Sequence, residues 1–289
     1  MGGEQTQQTR CTAPDALSNL VAVLELVADG EVRCSAGSRR PLATTVKLVE
    51  DVLVAGDYYE SRDSIAAYGW PVLVQAGGLA RLAGARLELT ARGADVLARP
   101  GYAALAALWT RWLRSVSFDE LARIDVIKGQ RKPATLTSAP TRRAAVAAAL
   151  TAIEPEVWAD TEMIWQVLHT EDVPLAVVRN QLALWRLYIG DSYHGSLGHA
   201  GAKALEIVEG RYALCVLFEY AATAGLIDIT YTDAAGARDD YRFLWGAGEL
   251  PFLSRYDGLL AVRVNEFGAA VLHDPGAIGE LRLPVPRSC

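Results

Sequence analysis

Lysine is scarce in this chain. Only Lys47, Lys128, Lys132 and Lys203 occur in 289 residues, so arginine carries nearly all of the positive charge. That bias is as consistent with genomic base composition as with a mechanism. An overall basic excess is also missing: 28 Lys+Arg stand against 34 Asp+Glu, leaving a net charge of -6 and a pI near 5.3. Proteins held to nucleic acid by their whole field are usually basic, which leaves only a local basic patch for that purpose. The cysteines Cys11, Cys34, Cys215 and Cys289 stand far apart with no CxxC pair. Neither a zinc knuckle nor a redox motif is suggested, and buried or idle free thiols are expected. No unbroken apolar run approaches the ~20 residues of a membrane span, and "MGGEQTQQTR" lacks the apolar core of a secretory signal. The expectation is a soluble, cytoplasmic protein without a membrane partner. There is no GxxxxGK[ST] loop to cradle a nucleotide's phosphates, and no cofactor is expected.

What is present is a packed composition, 51% hydrophobic and 21% charged, in a chain long enough for two ordinary domains. "DALSNLVAVLELVADG" and "LATTVKLVEDVLVAG" place apolar residues at helical spacing and close on Gly30 and Gly56. "SIAAYGWPVLVQAGG" is a third apolar segment, which Pro71 should kink or restart. The short turn "AGA" then separates two runs of alternating residues, 79–82 and 86–89, as in a hairpin. Thr90 follows where a helix N-cap is wanted, ahead of "ARGADVLA". Three helices, a hairpin and a closing helix are the order of a winged helix.

That order returns. "LELTARGADVLARPG" at 87–101 is echoed by "VRVNEFGAAVLHDPG" at 262–276, with Asn265 for Thr90, Gly268 for Gly93, and Val271 and Leu272 for Val96 and Leu97. "GRYALCVLFEYAATAGLIDITYT" supplies the preceding helix and strand. A repeat of this kind marks two related domains. The expected fold class is mainly α with short β-hairpins (α+β), in tandem winged-helix-like domains. The expected organisation is a disordered leader (1–12), a first domain (13–124), a linker (125–140) and a second domain (141–289). The second domain carries an insertion (170–209) and a long wing loop (232–258).

With these elements placed, the chain resembles a group of bacterial proteins common in high-GC organisms, built from tandem winged-helix-like domains. The marks are "VRCSAGSRRPLATTVK", "WPVLVQAGGLARLAGARLELTARG", "LWTRWL", "YIGDSYHGSLG" and the block from "GRYALCVLFEYAATAG" to "FLSRYDGLLAVRVNEFGAAVL". The short wings also look like those beside some helicase domains. The resemblance implies a fold and a nucleic-acid or assembly context, and it brings no catalytic residues.

Nucleic-acid candidates are Arg33, Arg39, Arg40, Thr44 and Lys47, around the expected start of a helix whose free N–H groups attract phosphate, with Thr45 as a further hydroxyl donor. Arg81, Arg86 and Arg92 on the first wing could reach an adjacent groove, although the same residues also suit a solvated surface. The third helix opposes base reading, since Gln75 is its one amide and it has no Lys or Arg. Arg238, Arg242, Trp245, Arg255 and Tyr256 in the long wing loop combine hot-spot residue types and form the candidate partner surface, against an internally packed wing. Trp109, Trp112, Trp165 and Trp185 suit domain packing. In "YIGDSYHGSLGHAG", Asp191, Tyr193, His194 and His199 invite an enzymatic test. No HExxH, facial triad or GxSxG pattern completes a site there, so no catalytic or metal residue is assigned. Three functions stand open: a non-catalytic DNA-associated accessory protein, a protein-interaction module or homodimer that has lost DNA reading, and an enzyme using the 191–199 loop.

Overall fold

A computed structural model of the chain describes residues 6–59, 63–131, 134–170 and 174–280. The fold is α+β. Strand β1 (Gln8–Arg10) is followed by α1 (Ala13–Ala28), α2 (Ala43–Val52) and α3 (Ala66–Ala76), then by the hairpin β2 (Ala80–Ala83) and β3 (Arg86–Leu89). Next come α4 (Ala91–Ala98), α5 (Tyr102–Arg114), β4 (Ile127–Lys128), α6 (Ala139–Thr151), β5 (Trp158–Asp160) and α7 (Thr161–Leu168). After β6 (Tyr188–Ile189), α8 (Ala202–Cys215) runs into a π-helical stretch, Val216–Ala222, and the chain ends its regular course with β7 (Ile227–Tyr231), β8 (Leu259–Val264) and α9 (Glu266–His273).

The two copies of the repeat adopt the same geometry for the same reasons. Gly78 and Gly225 end their helices at φ +74° and +84°, a conformation open to glycine at no steric cost. Leu79 N–H donates to Val74 O and Leu226 N–H to Ala221 O, both at 2.9 Å, as the chain turns into a strand. Thr90 accepts from Gly93 N–H at 3.1 Å, and Asn265 from Gly268 N–H at 2.9 Å, so each caps the helix that follows. A Cβ at Gly93 would lie 2.0 Å from Leu79 O, and one at Gly268 1.9 Å from Leu226 O. Only glycine lets each closing helix approach its strand so closely. Each half also has a further strand segment on its sheet: Arg33 bridges Arg86 in the first, and β5 pairs with β8 in the second.

Four expectations are corrected. The leader is structured over the described residues from Thr6 onward: β1 pairs with β7 at the edge of a four-stranded sheet ordered β1-β7-β8-β5. Residues 1–5 lie outside the described residues. The stretch 125–140 is no free linker, because β4 pairs with β6 and the Gln130 side-chain amide donates to three carbonyls, those of Leu121, Ile124 and Ile127. The last residues assigned to the insertion, from Ala202 on, are the start of α8. Pro71 lies inside α3 without dividing it, since burial of nearly every residue from Ala66 to Val74 outweighs the one backbone bond that proline removes. The Asp57 carboxylate reinforces that helix by accepting the N–H groups of Ile65, Ala66 and Ala67 at 2.9, 3.1 and 2.7 Å.

The halves share one continuous apolar core, and the third helix of each lies at their junction. A Cβ at Gly69 of α3 would meet Glu219 O at 2.6 Å, and the Trp112 ring of α5 stacks on Tyr220 at 4.6 Å. The fully buried Glu219 carboxylate accepts from Arg123 Nε at 3.0 and 2.9 Å and from the Tyr256 hydroxyl. Arg123 also donates to Ser64 O at 3.1 Å and lies over the Tyr68 ring at 3.5 Å. Burial works against the Arg123 charge, but Glu219 more than offsets it and holds the guanidinium well above its ordinary pKa. Replacing Arg123 with Met leaves a buried carboxylate unpaired and is expected to cost about 3–5 kcal/mol in urea unfolding, with the Arg123→Met/Glu219→Gln pair recovering part of that loss.

Candidate nucleic-acid and partner surfaces

Arg33 and Arg86 stand directly opposite each other. Cys34 N–H donates to Ala85 O and Leu87 N–H to Val32 O, both at 2.9 Å, which makes 33/86 a non-hydrogen-bonded antiparallel pair, the kind with the closest side chains. Both are exposed while Val32, Cys34 and Leu87 are buried, so the two guanidiniums share the outer face. Neither takes part in an ion pair among the described residues. Like charges in such a position are unfavourable unless an anion comes between them.

The other basic candidates divide. Arg39 sits at φ +60° on an exposed turn and donates to Ser117 Oγ at 3.3 Å. Arg40 is half-buried at an open cleft of about 600 Å³ that also holds Lys128 and Arg131, two cations missed in the sequence because chain separation hid their proximity to Arg40. Asp125 in that cleft is already paired with Arg255 at 3.1 Å. Lys47 is paired with Asp51 at 3.0 Å, and Arg81 with Glu88 at 2.9 Å. Thr44 and Arg92 are exposed on the first turns of α2 and α4. Thr45 is buried, and its hydroxyl donates to Arg33 O at 2.7 Å. The Gln75 amide donates to Arg39 O at 3.1 Å and to Pro71 O at 2.9 Å, so it is not free for a base.

The wing-loop set is largely internal, which corrects the expected partner surface. Tyr256 is fully buried on Glu219, and the Arg255 side chain packs between Asp63 and Asp125. Arg238 donates to Asp257 O, Leu259 O and Thr161 Oγ1 at 3.1, 2.9 and 2.8 Å. Long loops fold inward when their aromatic and apolar residues find a core, as Tyr241, Leu244 and Leu253 do here. Arg242 and Trp245 remain exposed. Trp245 stacks on His194 with centroids 5.7 Å apart, and Tyr193 meets the same His194 at 5.1 Å. Trp185 was expected to pack a helix. It instead lies on a short 3-10 turn, is 52% exposed and packs edge-on to His199. Trp109 and Trp112 are buried and stacked at 4.9 Å.

The polar groups of the 191–199 loop hold the loop itself. Asp191 Oδ1 accepts from the N–H groups of Tyr193 and His194 at 3.0 and 2.8 Å, which keep its carboxyl below the usual range. His199 Nε2 lies 3.0 Å from Tyr193 O, and Ser196 Oγ donates to Trp185 O at 3.2 Å. Among the described residues, no group of three or more His, Cys, Asp or Glu is placed to hold a metal ion. Cys34 and Cys215 are buried free thiols, Cys11 is not a free thiol, and Cys289 lies outside the described residues. No helix among the described residues is long and apolar enough to cross a membrane. The chain matches no known family, curated protein or solved structure.

Among the described residues, the buried Glu209 forms no ion pair. Glu209 on α8 accepts Val177 N–H at 3.2 Å, and burial pushes its carboxyl up to about 7, opposed in part by that N–H and by His169. Between about 4.5 and 7 the folded chain therefore binds more protons at this position than the unfolded chain, so its contribution to stability falls as pH rises through that window. Glu209→Gln keeps an acceptor for Val177. Urea midpoints are expected to show it more stable than the parent by up to about 3 kcal/mol at pH 8, with the difference fading toward pH 4.

Proposed function

We propose that this chain is a non-catalytic, DNA-associated accessory protein built from two winged-helix units, which touches the phosphate backbone without reading sequence. Support for the architecture comes from the matched order in each half: helix, strand segment, two helices, hairpin and closing helix, with the same cap and glycine contacts. The usual reading helices are unsuited to a groove. Residues Ala66–Val74 of α3 are almost wholly buried, as are Arg211–Ala222 of the second third helix, and the two pack on each other. Sequence reading needs several donors and acceptors at base edges, and this arrangement offers none there.

The observation that carries the proposal is the Arg33/Arg86 pair, two exposed cations held side by side without an acid. A phosphate between them would remove their mutual repulsion and make charge-assisted hydrogen bonds to both. Arg40, Lys128 and Arg131 extend the basic area as a second group free of ion pairs among the described residues. The net charge of -6 confines such binding to this local face.

A second reading, a protein-interaction module of a larger assembly, is favoured by the exposed aromatics Trp185, Tyr193, Phe243 and Trp245, from 52% to 75% accessible. Aromatic side chains of this kind anchor interfaces.

Fluorescence anisotropy with a random-sequence duplex, titrated over salt, separates the readings. Arg33→Ala/Arg86→Ala is expected to weaken binding roughly tenfold at low salt and to flatten the log–log salt slope by about 0.9 per lost phosphate contact. Arg81→Ala, whose guanidinium Glu88 already neutralises, should change little. Absence of binding by the parent chain even at low salt would sink the DNA reading and leave the aromatic face as the functional surface.

A further inference from the structure

A cavity of about 440 Å³ opens between α7 and α8, on the side of the second half covered by the long loop between β7 and β8. Its size lies within the usual range for small-molecule sites, ~300–1,000 Å³. Ile164, Trp165 and Leu168 of α7 form one wall, and Ile207, Leu214 and Leu217 form the other. These walls suit an apolar body.

The charged groups at the cavity are unequal. Arg211 is committed, with Asp257 at 2.9 Å and Asp240 bonded to its other guanidinium nitrogens. Arg238 is different: its Nε and Nη2 donate to neutral oxygens only, and it forms no ion pair among the described residues. Nη1 carries no hydrogen bond to the described residues either, which leaves two N–H donors for an occupant. Burial and the neighbouring Arg211 lower the Arg238 pKa, and the nearby carboxylates of Asp257, Asp240 and Glu162 offset them only in part. Exposed Lys203 adds a second cation at the rim. Glu162 and Glu206 also reach the rim, but both are exposed and neither lies within ion-pair distance of Arg238.

We propose that this cavity binds a small apolar monocarboxylate, with its carboxylate on Arg238 Nη1 and its aliphatic or aromatic body between Trp165 and Leu214. With Nε and Nη2 already committed, a carboxylate oxygen would accept from Nη1 in a charge-assisted hydrogen bond and bring the negative charge that the neutral oxygens around Arg238 do not supply. A primary amide would offer Nη1 a neutral carbonyl acceptor only, a weaker partner for a guanidinium than a carboxylate. Because Arg238 fastens the loop to Thr161 on α7, the occupant would tie helix, loop and α8 together. The site is separate from the Arg33/Arg86 face and does not depend on any contact with DNA.

Ligand-observed NMR titrations on the full chain test this, using benzoate, phenylacetate and hexanoate, each beside its primary amide. At least one acid is expected to bind about tenfold or more tightly than its amide, with that ratio falling to near one in Arg238→Gln. Should Arg238→Gln fail to fold, Gly210→Leu provides an independent arm. A Cβ there meets Trp165 at an ordinary 3.7 Å, so a leucine would project into the space beside Trp165 where the apolar body is placed while leaving Arg238 in position, and it should abolish binding of acid and amide alike. Equal affinity of acid and amide, acid binding that survives Gly210→Leu, or no binding by any acid up to about 10 mM would overturn the assignment.

Discussion

The arrangement of this molecule hangs on one buried carboxylate. Glu219 lies where the third helices of the two halves cross; Arg123 from the segment that connects them neutralises it, and Tyr256 from the long β7–β8 loop donates a hydrogen bond to it. A charge without solvent must be met by partners of fixed geometry, so three separate parts of the chain have their positions set by one side chain. The tight helix crossing at Gly69 and the stacking of Trp112 on Tyr220 are the apolar complement of that arrangement. A second buried pair acts beside it: Arg143 of α6 reaches Glu120 and the carbonyls of Trp112 and Ser115, satisfying the end of α5.

This junction has a functional price. The third helix of each half serves as an internal surface, so the exposed cationic and aromatic groups lie on turns, loops and strand segments. The cationic pair at 33 and 86 and the aromatic group around His194 lie on such outer features. Rigid elements beneath them keep both in place: the first is a strand pairing, and the second rests on a loop whose polar atoms bond to one another.

The repeat in the sequence marked the parts of the fold governed by local rules. Thr90 and Asn265 cap helices because their side chains accept a hydrogen bond three residues on, and Gly93 and Gly268 recur because a strand carbonyl fills the place of a side chain. Such constraints act over a few residues and leave a pattern. The strand segment at Arg33 left none, being a short bridge made by residues distant in the chain. The same holds for β1, which pairs across the whole molecule, and for β4, whose apolar content is a single buried Ile127. Arg238, Arg255 and Tyr256 have interface-like side chains, but composition cannot distinguish a residue awaiting a partner from one that finds its partner inside the same chain. Of the basic residues, Lys47 could have been marked as paired by Asp51, four residues along the same helix, whereas the facing of Arg33 and Arg86 is visible only in three dimensions.

The pairing of β1 with β7 also bears on the order of assembly. Thr9 and Thr230 meet across 221 positions of sequence, and the chain emerges from a ribosome at ~5–20 residues per second, so the early strand waits on the order of ten seconds or more for its neighbour to exist. A segment reading Gln-Thr-Arg can wait in water without harm, having no apolar side chain to hide and little tendency to aggregate. Its pairing with β7 at the sheet edge joins two segments made far apart in time.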